Sequence, residues 1–413
     1  MNPQALHAIA TLCREVRAPD PGHLDEILAQ AEAWEALDLS QVAALLAVTD
    51  PEARERVCAA AGRLTTAVFG THRLLFAPLY TNNTCVNDCL YCGFRRSNAT
   101  AVRRSLSLEH VVAEARALRR AGHVRVLLVA GEDLRDAGPE FLSQAIRRIR
   151  EEAGIPSVSL NVAPLGVDDL RRLREAGASM YQCFQETYDP EAYGRLHPAG
   201  PKRRYAWRVD VLDRALEAGF PRVGMGALLG LADYRFDVLA LVSHARRLQE
   251  RWGPVGLSVS VPRLRPAPGA ALREPPRPVD DAALRLVVAV YRLALPHATV
   301  TVSTREAPLL RETLLRGGAN QVSAGARTWP GAYADLGAAP AGEQFEIADH
   351  RSLADMVSVM EAQGLLPNLC TACEGSPRCP LGGAAAGACD AAARQALEGF
   401  HRLQRSPRVV SPL

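Results

Sequence analysis

Between residues 76 and 324, short runs of apolar and β-branched residues alternate with longer stretches whose apolar positions recur every three to four residues. The two patterns belong to different elements: a buried strand reads as a short apolar run, an amphipathic helix as a 3.6-residue stripe. Eight runs predict strands, at 76–81, 124–130, 157–163, 179–184, 222–229, 257–263, 298–303 and 320–324. Helical patterns lie between them, at 107–121, 139–153, 167–176, 205–218, 234–252, 279–294 and 305–316. Strand and helix alternating in this way predict an α/β chain folded as a parallel (β/α)8 TIM-type barrel. In such a barrel the chemistry sits at the C-terminal ends of the strands.

Two further segments flank the barrel, which is expected over residues 71–345. Residues 1–70 read as a helical extension packed on it. Leu24, Ile27, Leu28, Ala31 and Trp34 fall at helical spacing, and Asp50-Pro51-Glu52 opens another helix, with Asp50 as cap and Pro51 in the first turn. Cys13 and Cys58 in this part read as core residues. The third segment, 346–413, holds a predicted helix near 350–364, a cluster of cysteines and a last helix at about 388–404.

Composition narrows the partners. At 48% hydrophobic and 23% charged, the 413 residues have an ordinary globular make-up. Lys+Arg 48 against Asp+Glu 45 leaves a formal charge of +3, which gives no field for nucleic acid or an anionic membrane. The pairs Arg95-Arg96, Arg103-Arg104 and Arg203-Arg204 read as solvated faces. No run of 18 apolar residues appears, and the first residues lack the pattern of a secretory signal. Clustered thiols that must stay reduced then place the expectation in the cytoplasm.

Those thiols carry the sharpest signal. Cys85, Cys89 and Cys92 stand in the order C-x3-C-x2-C just beyond the first predicted strand. Three thiolates suit a cubane iron–sulfur cluster with one iron left open to a small molecule. A partial zinc site, needing a distant fourth ligand, and a disulfide framework are the alternatives. Tyr91, beside the last cysteine, is placed to shield the cluster from water. The spacing after a strand resembles that of the radical S-adenosylmethionine (SAM) enzymes. In that family the open iron binds the amine and carboxylate of SAM, and an electron splits SAM to a 5′-deoxyadenosyl radical.

The other strand ends are polar or glycine-rich. Strand two ends in Gly131-Glu132, where the glycine allows close approach and the carboxylate suits an ammonium. Asn161 ends strand three, and Gln185-Glu186-Thr187-Tyr188 follow strand four, offering bonds to SAM or to a substrate. Arg208 is within reach of a carboxylate. Gly224, Gly226 and Gly230 suggest close approach of a ligand or another backbone. Arg263 and Arg265, set between prolines, predict a rigid cationic rim. Arg305, after strand seven, is the expected partner of a substrate α-carboxylate, since arginine grips a carboxylate through two bonds. Ser323 and the Gly325 amide are expected to complete that site.

The stretches FAPLYTNNTCVNDCLYCGFRRSN, VAGED, FQETYDPEAYGRLHPAGPK, GALLGLADYRFDVLAL, SVPRLRPAPG, STREAPLLR and SAGARTWPGAY resemble the aromatic amino-acid lyase branch of the radical SAM enzymes, over residues 70–375. That branch includes the tyrosine lyases of thiamine biosynthesis and of iron-only hydrogenase maturation, and a tryptophan lyase. The resemblance implies a 4Fe–4S cluster on Cys85, Cys89 and Cys92, with Glu132 on the SAM amine. Tyr91, Gly131, Asn161, Glu186 and Arg208 are expected around SAM. It further implies a free aromatic amino acid as substrate, most of all L-tyrosine, cleaved at Cα–Cβ to p-cresol and 2-iminoacetate. A reductant such as flavodoxin or ferredoxin is the implied partner.

The C-terminal cysteines resemble the maturation enzyme, which holds a second cluster on a Cys-Thr-Ala-Cys motif and a later cysteine. Cys370 and Cys373 match that motif, with Cys379 and Cys389 as further ligands; four cysteines also admit a structural zinc site. Two departures count against full maturase chemistry, in which tyrosine yields carbon monoxide and cyanide. The maturase histidine expected just before the SVPRLRP stretch is missing from residues 253–259, and its Gly-Arg-Thr-Gly after the cysteine pair is absent. The resemblance therefore implies a paralogue that keeps the lyase chemistry. A tryptophan lyase and a cluster carrier without turnover are the other readings.

Overall fold

The computed structural model describes residues 3–334, 342–371 and 386–405. Four helices come first: α1 (Pro3–Glu15), α2 (Pro21–Glu32), α3 (Leu39–Leu46) and α4 (Pro51–Phe69). Asp50 caps α4 by accepting from the Ala53 amide, with Pro51 in the first turn. These helices pack on the outside of the barrel, α1 against α11 (Tyr234–Trp252) and α4 against α12 (Asp281–Ala294). Trp34 departs from the expected helical face. It lies beyond the end of α2 with φ of 68°, is exposed, and its ring meets His297 at 5.3 Å.

Eight parallel strands close the barrel. They are β1 (His72–Asn82), β2 (Arg125–Ala130), β3 (Ser157–Asn161), β4 (Met180–Gln182), β5 (Arg222–Gly226), β6 (Gly256–Ser260), β7 (Thr299–Val302) and β8 (Gln321–Ser323). Closure rests on β1, whose Leu74–Phe76 pair with β8 and whose Ala77–Tyr80 pair with β2. Outside the barrel run α5 (Leu108–Arg120), α6 (Pro139–Glu151), α7 (Val167–Glu175), α11, α12 and α13 (Pro308–Arg316). The helix predicted at 205–218 is broken at Asp210 into α9 (Tyr205–Val209) and α10 (Val211–Glu217), and a short α8 (Pro190–Leu196) precedes them.

The period-two pattern of the strands explains both the core and the hollow inside it. On β1, Leu75, Ala77 and Leu79 point outward and are buried under helices, while Leu74, Phe76, Pro78 and Tyr80 face the interior. Elsewhere Leu127, Val129 and Met180 also face inward, but most other inward positions are small or polar: Ser159, Gln182, Ser258, Ser260, Thr301 and Gln321. Barrels of this kind are usually filled by layers of branched apolar side chains. Here the inward set leaves a cavity that runs from the cysteine loop down to Arg125 and Arg222 at the starts of their strands.

After the barrel, α14 (Leu353–Ala362) leads to a ninth strand, β9 (Leu366–Asn368), and α15 (Ala386–Arg405) ends the described chain. No apolar run announces β9. It adds to the first residues of β1, His72–Leu74, and so lies at the barrel end opposite the cysteine loop. Arg125 donates to the carbonyls of Asn368 and Cys370, and His72 bonds Asn368 and Asp390, which ties β9 and α15 to the barrel floor.

One buried carboxyl carries a stability prediction. In the first turn of α11, Asp237 Oδ1 accepts from the Thr187 hydroxyl at 2.9 Å and the Tyr188 amide at 2.6 Å. Its Oδ2 has no partner among the described residues, and burial pushes the group up to about 7 from 3.8. Between those two pH values the unfolded chain has given up this proton and the native chain still holds it. This contribution to stability is therefore complete below about pH 3.8 and lost as pH rises through about 7. Asp237→Asn, neutral at every pH, is expected to melt a few degrees (roughly 2–4 °C) higher relative to the parent at pH 8 than at pH 5. A pH-independent difference between the two melting curves would count against it.

Candidate active site

The cysteine loop begins where β1 loses its register with β2, between Tyr80 and Asn82. Residues 83–104 then run without regular structure, held by side chains rather than by a ladder. Arg103 is the main one: its guanidinium donates to the carbonyls of Asn83, Phe94, Arg95 and Asn98. The expectation of a solvated Arg103 is thus corrected, because four loop carbonyls need its donors. Gly131 also serves the loop. A Cβ there would stand 2.1 Å from the Thr84 carbonyl oxygen, so the close approach is made by the cysteine loop itself.

Cys85, Cys89 and Cys92 line the mouth of the cavity, with Tyr91 beside them. The Phe94 amide points at Cys92 Sγ at 3.4 Å and Asn87 Nδ2 at Cys85 Sγ at 3.7 Å. Burial pushes all three thiols up, Cys92 to about 11. Among the described residues no three His, Cys, Asp or Glu side chains are gathered as ligands of a single metal ion. The donor set of three thiols around a roomy cavity, with hydrogen bonds to sulfur, fits a larger cluster better than one ion.

Beside the cysteines lies a buried charge network. Glu132 accepts from Arg208 at 2.8 Å and from Asn87 at 2.7 Å. Glu186 accepts from Lys202 at 2.7 Å, with Arg208 at 3.8 Å. Burial works against each ionised carboxyl, but Arg208 and Lys202 outweigh it and hold both below their ordinary range. Glu186 takes a left-handed backbone, φ 71°, uncommon for a residue with a side chain. That turn sends only Glu186 of its group into the cavity. Thr187 and Tyr188 face away, toward Asp237 and His244, and Gln185 does not line the cavity. Asn161 lines it, as expected from its strand end.

On the far wall Arg305 stacks on the Phe345 ring, its guanidinium carbon 3.3 Å from the centroid. Among the described residues its side chain makes one long hydrogen bond, 3.5 Å to the Arg263 carbonyl, and pairs with no carboxylate. Burial lowers its pKa to about 10, and it remains a cation. Ser323 lines the same wall, and its Oγ accepts from the Thr304 amide at 3.1 Å, bracing the turn that carries Arg305. Two neighbouring expectations are corrected. Arg263 and Arg265 form no cationic rim, because both bond the buried Glu306, with Arg263 also on Asp281. The Gly325 amide is taken by the Arg351 carbonyl at 2.9 Å. Gly224 is required by packing, since a Cβ there would meet the Gln182 side chain at 2.4 Å.

Sequence reasoning missed Asn87, Lys202, Tyr80, Gln344 and Phe345, all on the cavity. Asn87 and Lys202 lie inside the conspicuous stretches but outside any strand end. Gln344 and Phe345 come from the loop after β8, where the chain returns to bond Tyr80 through Gln344 Oε1 at 2.7 Å. Of the C-terminal cysteines, Cys370 at the end of β9 and Cys389 on α15 are brought to the barrel floor. Cys373 and Cys379 lie outside the described residues.

Comparison with known proteins now bears on this site. Residues 79–242 match the radical SAM superfamily and residues 260–366 the biotin and thiamin synthesis associated domain. The 2-iminoacetate synthase of Escherichia coli is 35% identical over 343 residues, 82% of this chain and 89% of that protein. The chain belongs to the radical SAM family. Within it the chain is a radical SAM lyase resembling 2-iminoacetate synthase, with the Salmonella typhimurium protein 34% identical over 80% of the chain and 86% of its own length. The hydrogenase maturase HydG of Carboxydothermus hydrogenoformans superposes with a TM-score of 0.87 at 34% identity, over 98% of this chain and 91% of that one. A second HydG structure gives a TM-score of 0.86 at 30% identity, over 100% and 99%. Membership implies a 4Fe–4S cluster and SAM as cofactors, in keeping with the thiol and charge arrangement above. Among the described residues no helix is long and apolar enough to cross a membrane.

Proposed function

We propose that this radical SAM lyase cleaves the Cα–Cβ bond of L-tyrosine, giving p-cresol and 2-iminoacetate. The observation that carries the substrate class is Arg305: a half-buried cation on the cavity wall with no ion-pair partner among the described residues. A charge partly withdrawn from water without a counterion is costly, so the wall is completed by an anion such as an α-carboxylate. Arg305 binds that carboxylate, and the Ser323 hydroxyl proton, which the Thr304 amide leaves unused, is placed to donate to it. Cys85, Cys89 and Cys92 hold the cluster, which with SAM supplies the 5′-deoxyadenosyl radical. Glu132 takes the SAM ammonium, Arg208 and Lys202 face its carboxylate, and Asn161 and Glu186 close the pocket around it. The choice of tyrosine follows the 2-iminoacetate synthases. A small acidic reductant of the flavodoxin or ferredoxin type supplies electrons.

A second reading rests on the HydG likeness, which extends over nearly the whole chain. Cys370 and Cys389 at the barrel floor support a second 4Fe–4S cluster completed by Cys373 and Cys379. Making carbon monoxide and cyanide there is disfavoured by the lack of any histidine in residues 253–259.

The test uses anaerobically reconstituted protein with SAM, dithionite and either tyrosine or tryptophan. Deoxyadenosine, p-cresol, cyanide and indolic fragments are measured together. The expected result is cresol without cyanide. Cresol with cyanide restores the maturase reading, and indolic products or deoxyadenosine alone overturn tyrosine as substrate.

A further inference from the structure

Tyr91 sits between Leu90 and the last cysteine of the loop, on the wall of the cavity beside Cys89. Its ring is buried, and two groups outside the cysteine loop determine its position. Lys202 Nζ lies 5.7 Å from the centroid of one face. At the other end, the hydroxyl oxygen is 2.8 Å from Nε2 of His197. The two rings meet edge to face, with centroids 5.6 Å apart and planes at 89°.

The direction of that hydrogen bond follows from the second nitrogen. His197 Nδ1 is 2.8 Å from the carbonyl oxygen of Tyr193. A carbonyl only accepts, so Nδ1 carries the proton. His197 is fully buried, and burial together with the Lys202 charge pushes it down to about 3, so the ring is neutral. A neutral imidazole protonated on Nδ1 has a bare lone pair on Nε2. Tyr91 must therefore be the donor. His197 is itself held in place: it caps the C-terminal end of α8, and the Tyr193 ring lies against it with centroids 4.1 Å apart. Leu90 and Asp88 extend the clamp, their amides donating to the carbonyls of Leu196 and Ala199.

We infer that His197 is a positioning residue for SAM, fixing the Tyr91 ring through its hydroxyl and so the width of the cavity beside the cysteines. The inference rests on the SAM-binding reading of that cavity. A ring anchored only by packing can rotate about its side-chain bonds; one whose hydroxyl is held by a buried acceptor keeps one orientation. Among the described residues His197 makes no hydrogen bond or ion pair to the cysteines or the charge network, so its bonded link to the cofactor pocket runs through Tyr91.

The experiment measures SAM affinity of the reconstituted protein by equilibrium dialysis, and the change SAM makes in the electron paramagnetic resonance of the reduced cluster, both without amino-acid substrate. Tyr91→Phe removes one oxygen and is expected to weaken SAM binding about tenfold, the effect of about 1.4 kcal/mol. His197→Phe is expected to weaken it equally, and the double variant no further, because both remove the same bond. His197→Gln, whose Oε1 can accept the same proton, recovers at least half of the affinity on a logarithmic scale. Iron and sulfide content stays at the parent value in Tyr91→Phe, which carries the test if His197→Phe fails to fold. Unchanged affinity in Tyr91→Phe, or additive losses in the double variant, would overturn the inference. A parent protein that binds no SAM removes the SAM-binding reading itself, and the inference with it.

Discussion

Cys89→Ala will make no deoxyadenosine above background, a loss of at least three orders of magnitude. Its thiol is the middle one of three on the cavity wall and is among the most buried, at 5% exposure. With only three protein ligands, a cubane already leaves one iron open. Losing another leaves two, and no nearby His, Asp or Glu completes a set among the described residues. The side chain removed is small and the backbone at 89 keeps its bond to the Cys92 amide, so the barrel should fold. The measurement is iron content, resonance spectrum and deoxyadenosine together. The SAM-responsive signal should vanish while any signal from the C-terminal cysteines persists. Retention of deoxyadenosine formation would remove this loop from the chemistry. Loss of all iron would show that the two cysteine groups do not bind independently.

The barrel was legible because its strands are buried on the outward face under helices. Leu75, Ala77 and Leu79 on β1, and Val126 and Leu128 on β2, give short apolar runs between clear helical stripes. The cysteine motif was legible because thiol spacing is itself the chemistry. What escaped has a physical cause in each case. β9 is three residues long, and its pairing with His72–Leu74 depends on a floor that exists only after closure. Helix 205–218 reads as continuous in apolar spacing; the break at Asp210 sets Arg208 on Glu132 and leaves Arg214 against Trp207.

The site residues divide in the same way. A strand end marks a position, not the direction of its side chain. Asn161, Glu132, Arg305 and Ser323 reach the cavity. Gln185, Thr187 and Tyr188 lie in an equally polar stretch, but the left-handed turn at Glu186 sends them elsewhere. Charge is misleading for a related reason. Arg103, Arg263 and Arg265 look alike in sequence to Arg305, yet each is satisfied by loop carbonyls or by Glu306. Among these four, the pairing pattern within the described residues singles out Arg305 as the guanidinium with an open partner.

That distinction gives the last prediction its sign. Arg305→Ala removes the cation from the carboxylate wall while leaving the cysteines, Glu132 and Arg208 in place. Cutting one partner from a desolvated charge pair costs about 2–5 kcal/mol, so kcat/KM for tyrosine is expected to fall roughly 30- to 4,000-fold. SAM cleavage should fall far less, because among the described residues Arg305 makes no hydrogen bond or ion pair to a residue assigned to SAM and reaches Glu186 through its charge alone. Deoxyadenosine formed per cresol should therefore rise well above the parent ratio. Arg305→Lys separates charge from shape. The ammonium keeps the charge but loses the two parallel donors and the flat stacking on Phe345, so it should fall between parent and alanine. The measurement is initial rates of both products across a tyrosine titration for all three proteins. If deoxyadenosine and cresol fall in parallel in the alanine variant, Arg305 acts on the cofactor rather than on the substrate. The cation would then be completed by the SAM carboxylate, since Arg208 and Lys202 are already held by Glu132 and Glu186.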